Sequence, residues 1–91
     1  MEVNFYATLR PIVGGKRATL DLEEGATVRD LLRCAGARYP GLNALLWDAA
    51  GNVSDFIKVF VDGREMRHLQ GLDTPVPADA TVDIFPPTAG G

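Results

Sequence analysis

The chain has 91 residues, 46% of them hydrophobic and 23% charged, with a net charge of −3. That balance builds one globular domain with a modest core and excludes a largely disordered chain. The charges are interspersed along the sequence, so no basic stripe marks a nucleic-acid surface and no basic amphipathic helix marks a membrane surface; a protein or small-molecule partner remains.

From Met1 to Leu9 the residues alternate, with Val3, Phe5 and Ala7 on one face and Asn4, Tyr6 and Thr8 on the other, which predicts a half-buried strand. Pro11 and the pair Gly14-Gly15 punctuate a loop over residues 10–15, after which Ala18, Leu20 and Leu22 alternate with Thr19 and Asp21. The first two strands therefore form a hairpin. Gly14-Gly15 makes no phosphate cradle, because neither a helix start nor a Gly-Lys-Ser/Thr pattern follows it. Thr27 is an N-cap whose hydroxyl can accept from the Asp30 amide, so a helix begins at Val28. Val28, Leu31, Leu32, Ala35 and Tyr39 share one stripe, with Arg29, Arg33 and Arg38 mostly on the other side. Gly36 costs the helix about 1 kcal/mol relative to Ala, and Pro40 disfavours helical geometry at Tyr39, so the helix ends by Arg38 or Tyr39.

Leu42, Leu45 and Leu46 predict a short second helix against the core, with Trp47 as a partly buried packing residue. Phe56 to Val61 is a dense run of β-formers, with Ile57, Val59 and Val61 on one face and Phe56, Lys58 and Phe60 on the other. Asp62-Gly63 is a strong hairpin signal and leads to a brief strand around Arg64-Glu65-Met66. One helical turn is expected near Leu72-Asp73, and a last strand from about Thr81 to Phe85, with Val82 and Ile84 facing one way and Asp83 and Phe85 the other.

Pro86 and Pro87 cannot donate ladder hydrogen bonds, so the last strand stops at Phe85 and hands over to an extended stalk. Residues 1–85 are read as the domain and residues 86–91 as a flexible C-terminal tail. Fully extended, that tail reaches roughly 20 Å, at about 3.3 Å per residue. Gly90 and Gly91 lack a Cβ and can lie extended in a tunnel too narrow for other residues, which leaves the terminal carboxylate as the reactive group.

Cys34 is the only cysteine, so neither an intrachain disulfide nor a cysteine-based metal or iron-sulfur cluster is expected. No apolar run of about 18 residues and no secretory signal is seen, which places the chain in the cytoplasm as an expectation. His68 is the only histidine; a Cys34–His68 nucleophile pair would need an orienting third group that nothing in the sequence supplies.

Strand, strand, helix, strand, short strand, strand is the order of an α+β two-layer domain, since a single main helix covers one face of one sheet. This pattern resembles the ubiquitin-like β-grasp sulfur carriers (the MoaD/ThiS type), the family of the molybdopterin synthase small subunit and the thiamin-pathway carrier. The resemblance spans the whole chain. Its most specific part is the ending, Phe85-Pro86-Pro87-Thr88-Ala89-Gly90-Gly91, joined directly to a strand. Ala7-Thr8-Leu9-Arg10 and Val61-Asp62-Gly63-Arg64-Glu65 support it. It implies a mixed sheet of four to five strands, and a Gly91 carboxylate that an E1-like enzyme adenylates with ATP and converts to a thiocarboxylate using a sulfur source. The protein itself would then be a co-substrate with no bound cofactor and no catalytic or metal-binding residues of its own. The acceptor enzyme would be the molybdopterin synthase large subunit or a cysteine-synthase-like enzyme. The longer middle segment, residues 42–54, is similar to the carriers of cysteine biosynthesis, while Phe85-Pro86-Pro87 is similar to the molybdopterin synthase type. Both pathways stay open.

With strands 1, 3 and 5 side by side, as the resemblance implies, Tyr6, Phe60 and Phe85 form one exposed aromatic patch at the root of the tail. Such patches mark interaction sites, so these three residues and Pro86, Pro87, Thr88 and Ala89 are the expected partner-binding set. A loop or the short second helix folded over the rings would instead make them a satellite core. Lys58, Arg64 and Arg67 form either a positive rim or an ordinary solvated sheet edge. A ubiquitin-like modifier joined through Gly91 to lysines of other proteins uses the same carboxylate, and a non-covalent interaction module uses only the patch.

Overall fold

Two apolar periodicities, alternation along the strands and a single stripe along the main helix, converge on one core. The computed structural model describes residues 1–86. Its strands are β1 (Glu2–Phe5), β2 (Arg17–Thr19), β3 (Lys58–Val61), β4 (Arg64–Glu65) and β5 (Val82–Phe85), in the sheet order β2-β1-β5-β3-β4. β1 and β5 run parallel at the centre, and the other three pairings are antiparallel. Val3, Phe5, Ala18, Val59, Val61, Val82 and Ile84 all point to one face and are buried. Onto that face packs α2 (Val28–Arg38), through Val28, Leu31, Leu32 and Ala35. Each large aliphatic side chain buried in this way contributes about 1.5–3 kcal/mol.

The start of α2 follows its sequence signal. Thr27 is extended, its hydroxyl accepts from the Asp30 amide, and the Asp30 carboxylate accepts from the Thr27 amide, so two otherwise orphaned donors are satisfied reciprocally. The helix ends at Arg38. A 3-10 turn (Pro40–Leu42) and α3 (Asn43–Leu46) then fold back and bury Leu42 and Leu46. Gly36 faces this return: a Cβ there would lie 2.1 Å from Asn43 Oδ1, and the Gly36 carbonyl accepts from Asn43 Nδ2 at 3.1 Å. Close approach, rather than loose helix formation, explains the mid-helix glycine.

The first strand is shorter than expected. It ends at Phe5, Ala7 takes a positive φ of 50°, and the chain continues as a 3-10 turn (Ala7–Leu9) and α1 (Arg10–Val13). Ala7 and Thr8 are exposed, whereas Leu9 and Val13 are buried. Leu9, Ile12 and Val13 stand at i, i+3 and i+4, a helical signal that overrides the apparent alternation of residues 6–8. Pro11 suits the first turn of α1, and Gly14, at φ 79°, closes it with its amide on the Arg10 carbonyl.

The β3–β4 hairpin turns on Asp62 and Gly63, both in the left-handed region at φ 51° and 81°, as the Asp-Gly pair predicts. Met66 then dives into the core. The long return to β5 is pinned beside the helix start: the Val28 amide donates to the Thr74 carbonyl and the Val76 amide to the Ala26 carbonyl.

Candidate functional site

The sheet face turned away from α2 carries the alternate side chains of the three central strands. Tyr6 follows β1 and is held beside β5 by its amide, which donates to the Ile84 carbonyl at 3.2 Å. Its ring stacks on Phe85, with centroids 4.2 Å apart and planes 11° apart. Phe60, on β3, meets Phe85 edge to face at 5.5 Å and 81°. The three rings are therefore contiguous and only half-buried. Since Leu42 and Leu46 carry α3 into the core on the opposite side of the sheet, that helix does not cover them. Among the described residues the rings form a half-exposed patch and not a satellite core.

Polar groups hold the patch in register. Tyr6 Oη donates to Asp83 Oδ1 at 2.8 Å, and Asn4 Nδ2 donates to the same oxygen at 3.0 Å. The hydrogen bond to the Asp83 carboxylate, aided by desolvation and the negative charge itself, holds the Tyr6 phenol above its ordinary pKa near 10. Arg10 donates through Nε to the Phe5 carbonyl at 2.9 Å and places its guanidinium 5.3 Å from the Tyr6 ring centroid, a cation–π contact. On the other flank, register puts Lys58 of β3 directly opposite Phe85. The end of β5 is thus an aromatic plateau between two cations.

Sequence reasoning named Tyr6, Phe60, Phe85 and Pro86, and the structure brings the three rings together with Pro86 buried immediately after them. Pro87, Thr88, Ala89, Gly90 and Gly91 lie outside the described residues. Arg10, Asn4 and Asp83 were missed as members of the site. Alternation already put Asp83 on the face of Phe85, and that was the available signal; for Arg10 there was none, because its placement depends on α1. Arg67 leaves the expected rim: its guanidinium donates to the carbonyls of Ile57 and Ser54, both at 2.8 Å, and pairs with Glu65. It fastens the segment entering β3.

Cys34 and His68 lie on separate elements among the described residues. The Cys34 thiol, on α2, faces the Asp21 carbonyl at 3.7 Å, while His68 lies in the 3-10 turn Met66–His68 after β4. Among the described residues no group of three His, Cys, Asp or Glu side chains could hold a metal ion, and no helix is long and apolar enough to cross a membrane. Half-exposed aromatic rings with fixed polar partners are the kind of surface on which interfaces are commonly anchored.

The sequence model of the ThiS family matches residues 3–91. The chain is 40% identical over 91 residues to small archaeal modifier protein 3 of Haloferax volcanii, covering 100% of this chain and 98% of that protein. It is 30% identical over 95 residues to the sulfur carrier protein CysO of Mycobacterium tuberculosis, covering 100% of this chain and 98% of the relative. Among solved structures, it matches a chain of the Amycolatopsis orientalis BexX/CysO complex with a TM-score of 0.80 at 30% identity, covering 99% of this chain and 98% of the other. These relatives are small carriers and modifiers rather than enzymes, and the complex shows one such fold seated with another protein. The chain belongs to the ThiS family of ubiquitin-like β-grasp sulfur-carrier proteins.

Proposed function

We propose that this protein carries sulfur as a thiocarboxylate on Gly91, with residues 1–85 as the docking domain and residues 86–91 as the arm that enters partner active sites. The observation that carries the reading is the aromatic face Tyr6-Phe85-Phe60, which sits where β5 ends, in a chain of a sulfur-carrier family. A carboxylate is a poor electrophile until one oxygen becomes a leaving group. An E1-like enzyme supplies that: the Gly91 carboxylate attacks the α-phosphorus of ATP and expels pyrophosphate. Hydrosulfide released by a sulfur donor then attacks the acyl carbon, expels AMP and loses its proton. The resulting thiocarboxylate is a soft nucleophile on a tether, delivered to its acceptor by proximity. Gly90 and Gly91 let the tail lie flat in the activating site, and Pro86, Pro87, Thr88 and Ala89 set its reach. The protein binds no cofactor of its own, works in the cytoplasm, and hands its sulfur to an enzyme of cysteine or molybdenum-cofactor synthesis. The similarity to a sulfur carrier named CysO favours the cysteine branch.

The test is intact-mass analysis after incubation with ATP, an E1-like adenylating enzyme and a sulfur donor. Replacement of one oxygen by sulfur, located at Gly91 by fragmentation and absent when Gly90 and Gly91 are deleted, is the expected result. A second reading, conjugation through Gly91 to lysines of other proteins, is favoured by the 40% identity to a protein named as a modifier. Reductant-stable high-mass conjugates in extracts would support it, and the two uses of one activated carboxylate are compatible.

A further inference from the structure

The aromatic face does not stop at Phe60. Register places Glu65 of the edge strand β4 opposite Phe60, and beyond that edge a shallow groove is lined by Phe60, Lys58, Arg64, His68 and Leu69. Two features distinguish it from ordinary surface. Leu69 is 37% exposed and, with Phe56, is one of two large apolar side chains left in water among the described residues. The groove also collects cations in a chain whose net charge is −3. Lys58 and Arg64 form no ion pair among the described residues, where the pairs are Arg29–Asp73 and Arg67–Glu65. The groove's own carboxylate, Glu65, is already occupied, since it accepts from the Arg67 amide at 3.0 Å and pairs with the Arg67 guanidinium at 3.5 Å. The groove therefore offers one apolar foothold and two unneutralised positive charges.

Its shape narrows the occupant. The groove is open along its length, so a small ligand would keep most of its surface in water, unlike ligands in enclosed pockets. A segment of a protein already seated on the adjoining rings is held in place by that contact and needs only to cover Leu69 and answer the charge. We propose that the docking face continues around β4 into this groove, which takes a short segment of the E1-like adenylating enzyme bearing an apolar side chain beside carboxylates. The inference rests on the function proposed above and adds the chemistry of the partner surface.

The experiment measures the affinity of the wild type and three variants for an adenylating enzyme that passes the mass test, at low and high salt. Arg64→Glu should weaken binding about 3- to 10-fold at low salt, with the difference shrinking at high salt, as expected when an exposed attraction becomes a repulsion. Leu69→Ser should weaken it about fivefold irrespective of salt. Arg33→Glu, exposed on α2 away from both surfaces, should bind as wild type. As a readout independent of any variant, amide exchange across residues 63–69 should slow when the wild type binds. Wild-type affinity in both groove variants, with exchange at residues 63–69 unchanged, would overturn the inference and leave the aromatic face standing. Failure of every adenylating enzyme tried to activate the wild type would remove the proposed function, and this inference with it.

Discussion

Replacing Phe60 by lysine separates a docking role from a packing role, because the sheet around it is built to tolerate the change. The variant loses one edge-to-face contact with Phe85, at 5.5 Å, which costs about 0.5–1.5 kcal/mol. It gains a cation beside the cross-strand carboxylate of Asp83, while Glu65, on the other side of residue 60, is already paired with Arg67. One opposite-charge pair of this kind contributes about 0.2–1 kcal/mol. The net loss is therefore about 1 kcal/mol or less, so the unfolding midpoint should fall by no more than about 4–8 °C, the shift expected for 1 kcal/mol in a domain of this size. Binding behaves differently. An aromatic anchor at the centre of an interface is worth about 2 kcal/mol or more, and the added cation can return at most about 1 kcal/mol against an acidic partner. Affinity for the adenylating enzyme should therefore fall at least fivefold, and about 30-fold where the charge finds no partner. Calorimetric unfolding and a titration of KM for adenylation read the two effects separately. An unchanged KM, or a midpoint lowered far beyond this range, would refute the reasoning, the latter because it would make the rings a structural core.

Two further predictions address how the domain is held. Gly36→Ala should be near neutral alone, because the gain of about 1 kcal/mol in helix propensity is offset by displacing Asn43 and its hydrogen bond. In an Asn43→Ala background the same change should stabilise by about 1 kcal/mol, and a double-mutant cycle by denaturant unfolding that shows no coupling would rule out the proposed contact. Asp83→Asn should lower the Tyr6 pKa toward its ordinary value, followed by tyrosinate absorbance in a Tyr39→Phe background. In the wild type the raised value means that the folded state holds the phenol proton more tightly, so this contribution to stability is present below pH 10 or so and is lost as pH rises through the folded-state value. A Tyr6 titration unaffected by Asp83→Asn would show that the carboxylate is not the cause.

The predicted elements that proved right were those whose signal is local. Thr27 and Asp30 satisfy each other within one turn, and Asp62-Gly63 needs only its own backbone to make the hairpin. Alternation correctly assigned Val82 and Ile84 to the core and Asp83 and Phe85 to the open face. It failed at residues 6–9, where three polar-apolar steps imitated a strand while the spacing of Leu9, Ile12 and Val13 was helical. Arg67 looked like a free surface cation because its partners, the carbonyls of Ile57 and Ser54, are backbone groups that any sequence would supply.

Sequence alone determined which residues turn inward, where the main helix begins and ends, and that a strand gives way to two prolines before a pair of glycines. Only the tertiary structure decided which strands are neighbours. Alternation assigns a side chain to a face but carries no information about the strand beside it, and closing a long loop costs only slightly more than closing a shorter one, so chain proximity does not choose the pairing. Burying both apolar faces of the hairpin strands and β5 under one helix did choose it. The parallel contact of β1 with β5 brings Tyr6 to Asp83, 77 residues away, and makes three scattered aromatic residues into one face.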